Sequence, residues 1–216
     1  MAKKRKLRLA VLISGTGRTL KNLLARIAKE TLSAEIALVI SNNPVAPGLQ
    51  YAEESYIPIE IIERHKFDTK GEFSAPIFDA CRKQFVDYVV LAGYLRLLEI
   101  PPDFTNRVLN IHPSLIPTYC GEGIYGDIVH AKVLQRGLKI SGCTVHFVNQ
   151  KYDDGPIILQ KAVEVFDTDT LKTLNDRVFE AECEAYPEAI ELLFEGRIEV
   201  NGQLVKIAPR QTEDDF

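Results

Sequence analysis

Positive charge is not in excess: 26 Lys and Arg stand against 30 Asp and Glu in 216 residues, a formal net charge of −4. That balance argues against nucleic acid as the main partner, which needs a basic face. No apolar run approaches the about 18 residues needed to span a membrane, so a soluble, cytoplasmic protein with no membrane partner is expected. The four cysteines, Cys81, Cys120, Cys143 and Cys183, lie far apart and form no C-x-x-C. This disfavours a disulfide framework or a zinc site and suits reduced thiols. No cluster has metal-ligand spacing, and no metal is expected. Internal repeats, low-complexity tracts and dividing linkers are also lacking. One domain over residues 1–216 is therefore expected, with a basic tail at 1–6 and a disordered tail at 208–216. The basic start is not read as a signal peptide, because the apolar run after it is broken by Arg8 and ends at Ser14-Gly15.

What is present is an alternation of periods. Leu7 to Ile13 is a nearly continuous apolar run, as in a strand covered on both faces. Leu20, Leu23, Leu24, Ile27 and Ala28 then recur at helical spacing. Further strands are expected at Ile36 to Ile40, Ile59 to Ile62, Tyr88 to Leu91, Val108 to Ile111, Ile140 to Val148 and Ile157 to Val165. Helices are expected from Phe73 to Phe85, Val129 to Leu134 and Leu171 to Ala185. Asn201-Gly202 between two short apolar runs signals a C-terminal hairpin with a type I′ turn. The pattern implies an α/β fold, a mostly parallel twisted sheet with helices on both faces. In such folds, ligands bind beyond the carboxyl ends of the strands.

Three strand ends carry unusual residues. Ser14-Gly15-Thr16-Gly17-Arg18-Thr19 follows the first strand and opens a helix, a turn suited to an anion such as phosphate. A ligand-free tight turn is the plainer reading. A dinucleotide fingerprint fits poorly, since the third glycine is missing and the second strand ends in Ser41-Asn42-Asn43. Ala92-Gly93-Tyr94-Leu95-Arg96-Leu97-Leu98 follows the fourth strand and could be a packed turn with one snorkelling charge. In Asn110-Ile111-His112-Pro113-Ser114, strand alternation puts Asn110 and His112 on one side. An amide donor beside an imidazole there can stabilise a developing oxyanion. The turn Tyr152-Asp153-Asp154-Gly155-Pro156 offers a carboxylate that could reach His112. His65 reads as a solvated loop residue, and His146 as a hydrogen-bonded core residue.

The motifs I-S-G-T-G-x-x-L, L-A-G-Y-L-R-L-L, N-I-H-P-S-L-I-P, T-V-H-F-V and D-x-G-P-I-I-L-Q run in order from about Leu7 to Arg197. Together they resemble the glycinamide ribonucleotide formyltransferases, a branch of the folate-dependent formyltransferases. The resemblance implies a Rossmann-like fold and formyl transfer from 10-formyltetrahydrofolate to glycinamide ribonucleotide in purine synthesis. It implies catalytic roles for Asn110, His112 and Asp153, and a phosphate site at Gly17, Arg18 and Thr19. It also implies acceptor binding by Glu182. Folate contacts follow at Lys70, Leu95, Arg96, Leu97, Leu98, Asn110, Asn149, Gln150, Lys151, Tyr152 and Asp153. The partners would be these small molecules, in a monomer or homodimer.

Some residues depart from the family pattern. Arg18-Thr19 stand where the family often has Ser-Asn, and Asp154 where it often has glycine. The segment Tyr119 to His130 is several residues longer than the common Y-x-G-x-H. Rival readings are a formyltransferase for methionyl-tRNA or an amino sugar, a formyl-folate hydrolase, and a nucleotide-binding module without chemistry. The methionyl-tRNA enzyme and the hydrolase usually carry an additional domain that this sequence does not show, and binding alone would not require Asn110, His112 and Asp153 together.

Overall fold

The computed structural model describes residues 5–210. Most of the tail expected at 1–6, and residues 211–216 of that expected at 208–216, lie outside them. The described parts are tied down. Arg5 pairs with Asp87 at 2.8 Å, Arg210 with Glu195 at 2.9 Å, and the Ala208 N–H donates to the Arg197 carbonyl.

The elements in chain order are β1 (Leu7–Ile13), α1 (Arg18–Ala28), β2 (Ala34–Ser41), α2 (Leu49–Glu54), β3 (Ile59–Ile61), α3 (Lys70–Lys83) and β4 (Tyr88–Leu91). They continue with β5 (Val108–His112), α4 (Asp127–Arg136), β6 (Ile140–Phe147), β7 (Ile157–Glu164), α5 (Leu171–Glu195), β8 (Ile198–Asn201) and β9 (Leu204–Ile207). The short helix α2 was not expected; it is six residues long, too short to show a period. A capping box between Thr69 and Glu72 starts α3. The last helix runs past the expected end at Ala185, carrying Pro187 inside it, because Tyr186, Ala189 and Ile190 continue its buried stripe.

The main sheet has the order β3-β2-β1-β4-β5-β6-β7. The first five are parallel, β6 runs antiparallel to β5, and β7 antiparallel to β6. Alternation sorts the core into two layers. Leu9, Val11 and Ile13 of β1 pack with Leu20 and Leu23 of α1 and the inner face of α5. Ala10 and Leu12 pack on the opposite face with Phe73, Ile77 and Phe78 of α3. Each large apolar side chain buried in this way contributes about 1.5–3 kcal/mol. The Tyr186 hydroxyl lies 3.0 and 2.9 Å from the carbonyl oxygens of Leu91 and Leu109, fixing α5 against β4 and β5.

The chain winds outward from β1 to β3 and returns to β4 on the other side of β1. This reversal opens a crevice at the carboxyl ends of β1 and β4. In the hairpin, Asn201 pairs with Leu204, so the central turn residues are Gly202 and Gln203, and of these only Gly202 has positive φ. A glycine at the first central position is the type II′ signature, which corrects the expected type I′ turn.

Candidate active site

The crevice is a cavity of about 390 Å³, lined by the ends of β1, β4 and β5, the glycine loop before α4, the turn before β7, and one face of α5. Two contacts brace its floor. The Ser14 hydroxyl donates to Oδ1 of Asn42 at 2.6 Å and accepts from the Leu95 N–H at 3.2 Å, joining the β1 turn to the segment after β4.

On β5, Asn110 and His112 both line the cavity, as alternation predicts. Asp153 arrives from the turn after β6 with φ 51, a left-handed conformation that costs a non-glycine residue about 1–3 kcal/mol. Its Oδ2 lies 3.4 Å from His112 Nδ1 and accepts from the Gly121 N–H at 2.9 Å. Its Oδ1 lies 3.4 Å from Asn110 Nδ2 and 3.7 Å from His146 Nε2. Burial pushes the Asp153 carboxyl up, but His146, His112 and the Gly121 N–H together bring it below the usual carboxylate range. Burial pushes His112 below its ordinary value, against the pull of Asp153 and of the Tyr119 carbonyl. That carbonyl accepts from His112 Nε2 at 3.0 Å, on a residue with φ 45.

Across the cavity, α1 begins at Gly17 with no side-chain cap. Its first-turn N–H groups are the anion-binding end of a helix. Gly17 has φ 69, and a Cβ there would meet the Gly48 Cα at 2.7 Å, so the glycine is required by backbone packing as well as by the turn. The Arg18 guanidinium stacks 3.7 Å from the Phe179 ring centre and donates to Asn175 at 3.1 Å. Asn175 in turn donates to Asp127 at 2.8 Å, linking α5 to the start of α4. Glu182, one helical turn beyond Phe179, faces the same cavity, its carboxyl pushed up to about 7 by burial against the opposing pull of Arg18.

The cavity wall thus includes Gly17, Arg18, Thr19, Leu95, Arg96, Leu97, Leu98, Asn110, His112, Lys151, Tyr152, Asp153 and Glu182. It does not include Lys70, Asn149 or Gln150. Lys70 is the first residue of α3. Asn149 donates to Asp154 at 3.0 Å and Gln150 to the Ile100 carbonyl at 3.0 Å, so both hold the turn around Asp153. Two histidines of the wall have no site role assigned from sequence. His146 is buried as expected, but it stands directly opposite Asn110 in the β5–β6 ladder. His130 is buried on α4 with Nδ1 unpartnered among the described residues, and burial pushes its pKa down. Only strand register could have revealed the first. The extended loop before α4 hid the second.

Among the described residues no group of His, Cys, Asp and Glu could hold a metal ion, and no helix is long and apolar enough to cross a membrane. All four cysteines are unpaired.

A doubly wound sheet whose switch-point crevice joins an Asn–His–Asp cluster to a bare helix start defines a group-transfer type of α/β site. The chain belongs to the formyl transferase family, whose pattern matches residues 7–190. It is 37% identical over 201 residues to the phosphoribosylglycinamide formyltransferase of Haemophilus influenzae, covering 91% of this chain and 92% of that protein. It is 40% identical over 204 residues to the trifunctional purine biosynthetic protein adenosine-3 of Gallus gallus, covering 94% of this chain but only 20% of that protein's length. The structure of glycinamide ribonucleotide transformylase 1 from Symbiobacterium toebii superposes with a TM-score of 0.87 at 37% identity, covering 96% of both chains.

Proposed function

We propose that this chain transfers the formyl group of 10-formyltetrahydrofolate to the amine of glycinamide ribonucleotide, the formylation step of purine biosynthesis. The observation that carries the reading is the meeting of Asn110, His112 and Asp153 in one cavity with the uncapped start of α1.

The donor pocket fits its ligand. The backbone N–H groups of Arg96, Leu97 and Leu98 have no partner among the described residues, and with Val148 they offer an edge of donors beside an apolar wall. That combination suits a flat heterocycle with polar edges. Asn149 and Gln150 serve this pocket by holding the turn, and Lys70 from outside the wall.

The bound folate supplies an electrophilic formyl carbon. Asn110 donates to the formyl oxygen as it gains negative charge, and the positive charge of protonated His112 beside it stabilises that oxygen. Asp153 favours the cationic ring and, with His112, holds a path for the proton that the amine gives up and the departing folate nitrogen takes. Attack is direct. The Ser114 hydroxyl is committed to the Thr118 carbonyl and the Cys120 thiol to the Pro117 carbonyl, so neither is poised as a nucleophile. The α1 start and Arg18 hold the substrate phosphate, and Glu182 accepts from the acceptor's amine or ribose.

The test is a two-substrate assay with purified protein, following tetrahydrofolate and formylated ribonucleotide. The expected result is equal amounts of both, only when both substrates are present. Donor loss without acceptor would make the protein a formyl-folate hydrolase, and no reaction would overturn the proposal.

A further inference from the structure

Gly155 has no room for a side chain, since a Cβ there would lie 1.9 Å from the carbonyl oxygen of Phe147. That same oxygen is 2.8 Å from Nδ1 of His146. A carbonyl can only accept, so Nδ1 carries a proton, and in the neutral form of the ring Nε2 is then an acceptor. Nε2 lies 3.2 Å from Nδ2 of Asn110, across the β5–β6 ladder. On the other side of β6, the pairing with β7 shifts register between Val145 and His146, where β7 carries the extra residue Ile158.

We propose that His146 is a positioning residue that fixes which end of the Asn110 amide faces the reacting oxygen. The inference rests on the reaction proposed above. An amide side chain has two orientations that swap a double donor for an acceptor, and its neighbours decide between them. With Nε2 as acceptor, the NH₂ end is held toward His146 and Asp153. One N–H goes to Nε2 at 3.2 Å, and the other points to Asp153 Oδ1 at 3.4 Å. The second contact is at the outer limit of a hydrogen bond. A formyl oxygen gaining charge is a better-placed acceptor and takes that N–H over, while the first bond keeps the amide in register. Without His146 the amide is free to turn and present its own oxygen, which would repel the developing charge.

The experiment compares His146→Phe, which keeps bulk without an acceptor, with His146→Gln, whose amide again sets a donor and an acceptor side by side. His146→Phe is expected to lower kcat on the order of 10–100-fold with little change in either KM. His146→Gln is expected to restore most of the loss. On an Asn110→Ala background, His146→Phe should cost nothing further, because its effect passes through the amide. Equal losses in both backgrounds would overturn the proposal and leave His146 a packing residue. NMR of the ligand-free protein gives a reading that needs no turnover. The Asn110 side-chain NH₂ protons should exchange slowly with water and be shifted by their two acceptors, and in His146→Phe they should exchange faster and move toward free-amide shifts. Unchanged signals would overturn the positioning role. A wild type without turnover but with the expected signals would overturn the reaction and keep the positioning. Should His146→Phe fail to fold, His146→Asn, polar but too short to reach Asn110, takes its place.

Discussion

Oδ2 of Asp153 lies 3.4 Å from Nδ1 of His112, while Nε2 of the same ring donates to the Tyr119 carbonyl. Both ring nitrogens face acceptors, and only the imidazolium can donate to both. Burial opposes this and is the larger influence, leaving the His112 pKa below its ordinary value. Asp153→Asn removes the charge that raises it, so the pKa should fall further. Activity that needs the cation would then be lost at a lower pH than in the wild type. NMR titration of the ring in both proteins measures the first effect, and pH–rate profiles the second. An unchanged or higher pKa in the variant would make Asp154, or no carboxylate, the partner.

Asn110→Ala should lower kcat about 10²–10³-fold, the usual loss for one oxyanion donor, with the fold intact by circular dichroism. Half-buried Asn110 bonds only side chains, so its removal leaves the β5 ladder unchanged. A folded variant with near-normal turnover would remove Asn110 from the mechanism.

Strands β1, β2, β4 and β5 were legible because each is largely buried on both faces and reads as a short apolar run ended by a distinctive turn. The same logic brought Asn110 and His112 together. Residues whose role depends on a distant partner were not legible. His146 looks like any polar residue in an apolar strand until β6 is known to lie antiparallel beside β5. Gly17 sits in the turn expected to hold a phosphate, but its tightest neighbour is Gly48, beyond β2 in the chain. Asn201-Gly202 has the right residues for one turn, yet cross-strand pairing moves the turn centre by one position.

That second case changes how the phosphate site is tested. Gly17→Val would drive a side chain into the Gly48 backbone, so lost binding could mean a lost fold. Gly15 lines the cavity, lacks a left-handed φ, and has nothing within 4 Å of a built Cβ. Gly15→Val should therefore fold and raise the dissociation constant for the ribonucleotide about tenfold or more, about 1.4 kcal/mol, with little effect on the folate. Calorimetry with each ligand decides. Unchanged ribonucleotide affinity would make the turn structural only.

Arg18→Ala should weaken the same ligand less, and the difference should shrink as salt rises, because the guanidinium is partly exposed and screened. Removing it also strips the stacked cation from Phe179. Affinity at low and high salt separates the two losses: the charge effect fades and the packing effect stays.

Glu182 gives a pH test with a definite sign. Its carboxyl is pushed up to about 7 by burial, from an ordinary value of 4.5. A group whose folded pKa is raised contributes stability that is fully present below the unfolded value and is lost as pH rises through the folded one. Above about pH 7 the wild type therefore carries an ionised carboxylate in a wall that disfavours it. Glu182→Gln cannot ionise, so its melting temperature should match the wild type near pH 4.5 and exceed it at pH 8, by up to about 3 kcal/mol in stability. Acceptor affinity should move the opposite way. The wild type should bind the ribonucleotide more tightly as pH rises through about 7 and the carboxylate forms, whereas the Gln variant should bind weakly with that inflection gone. Melting curves and calorimetry at both ends of the range test the pair together. The same melting offset at both pH values would mean the carboxyl ionises normally. An unchanged affinity profile would take Glu182 out of the acceptor site.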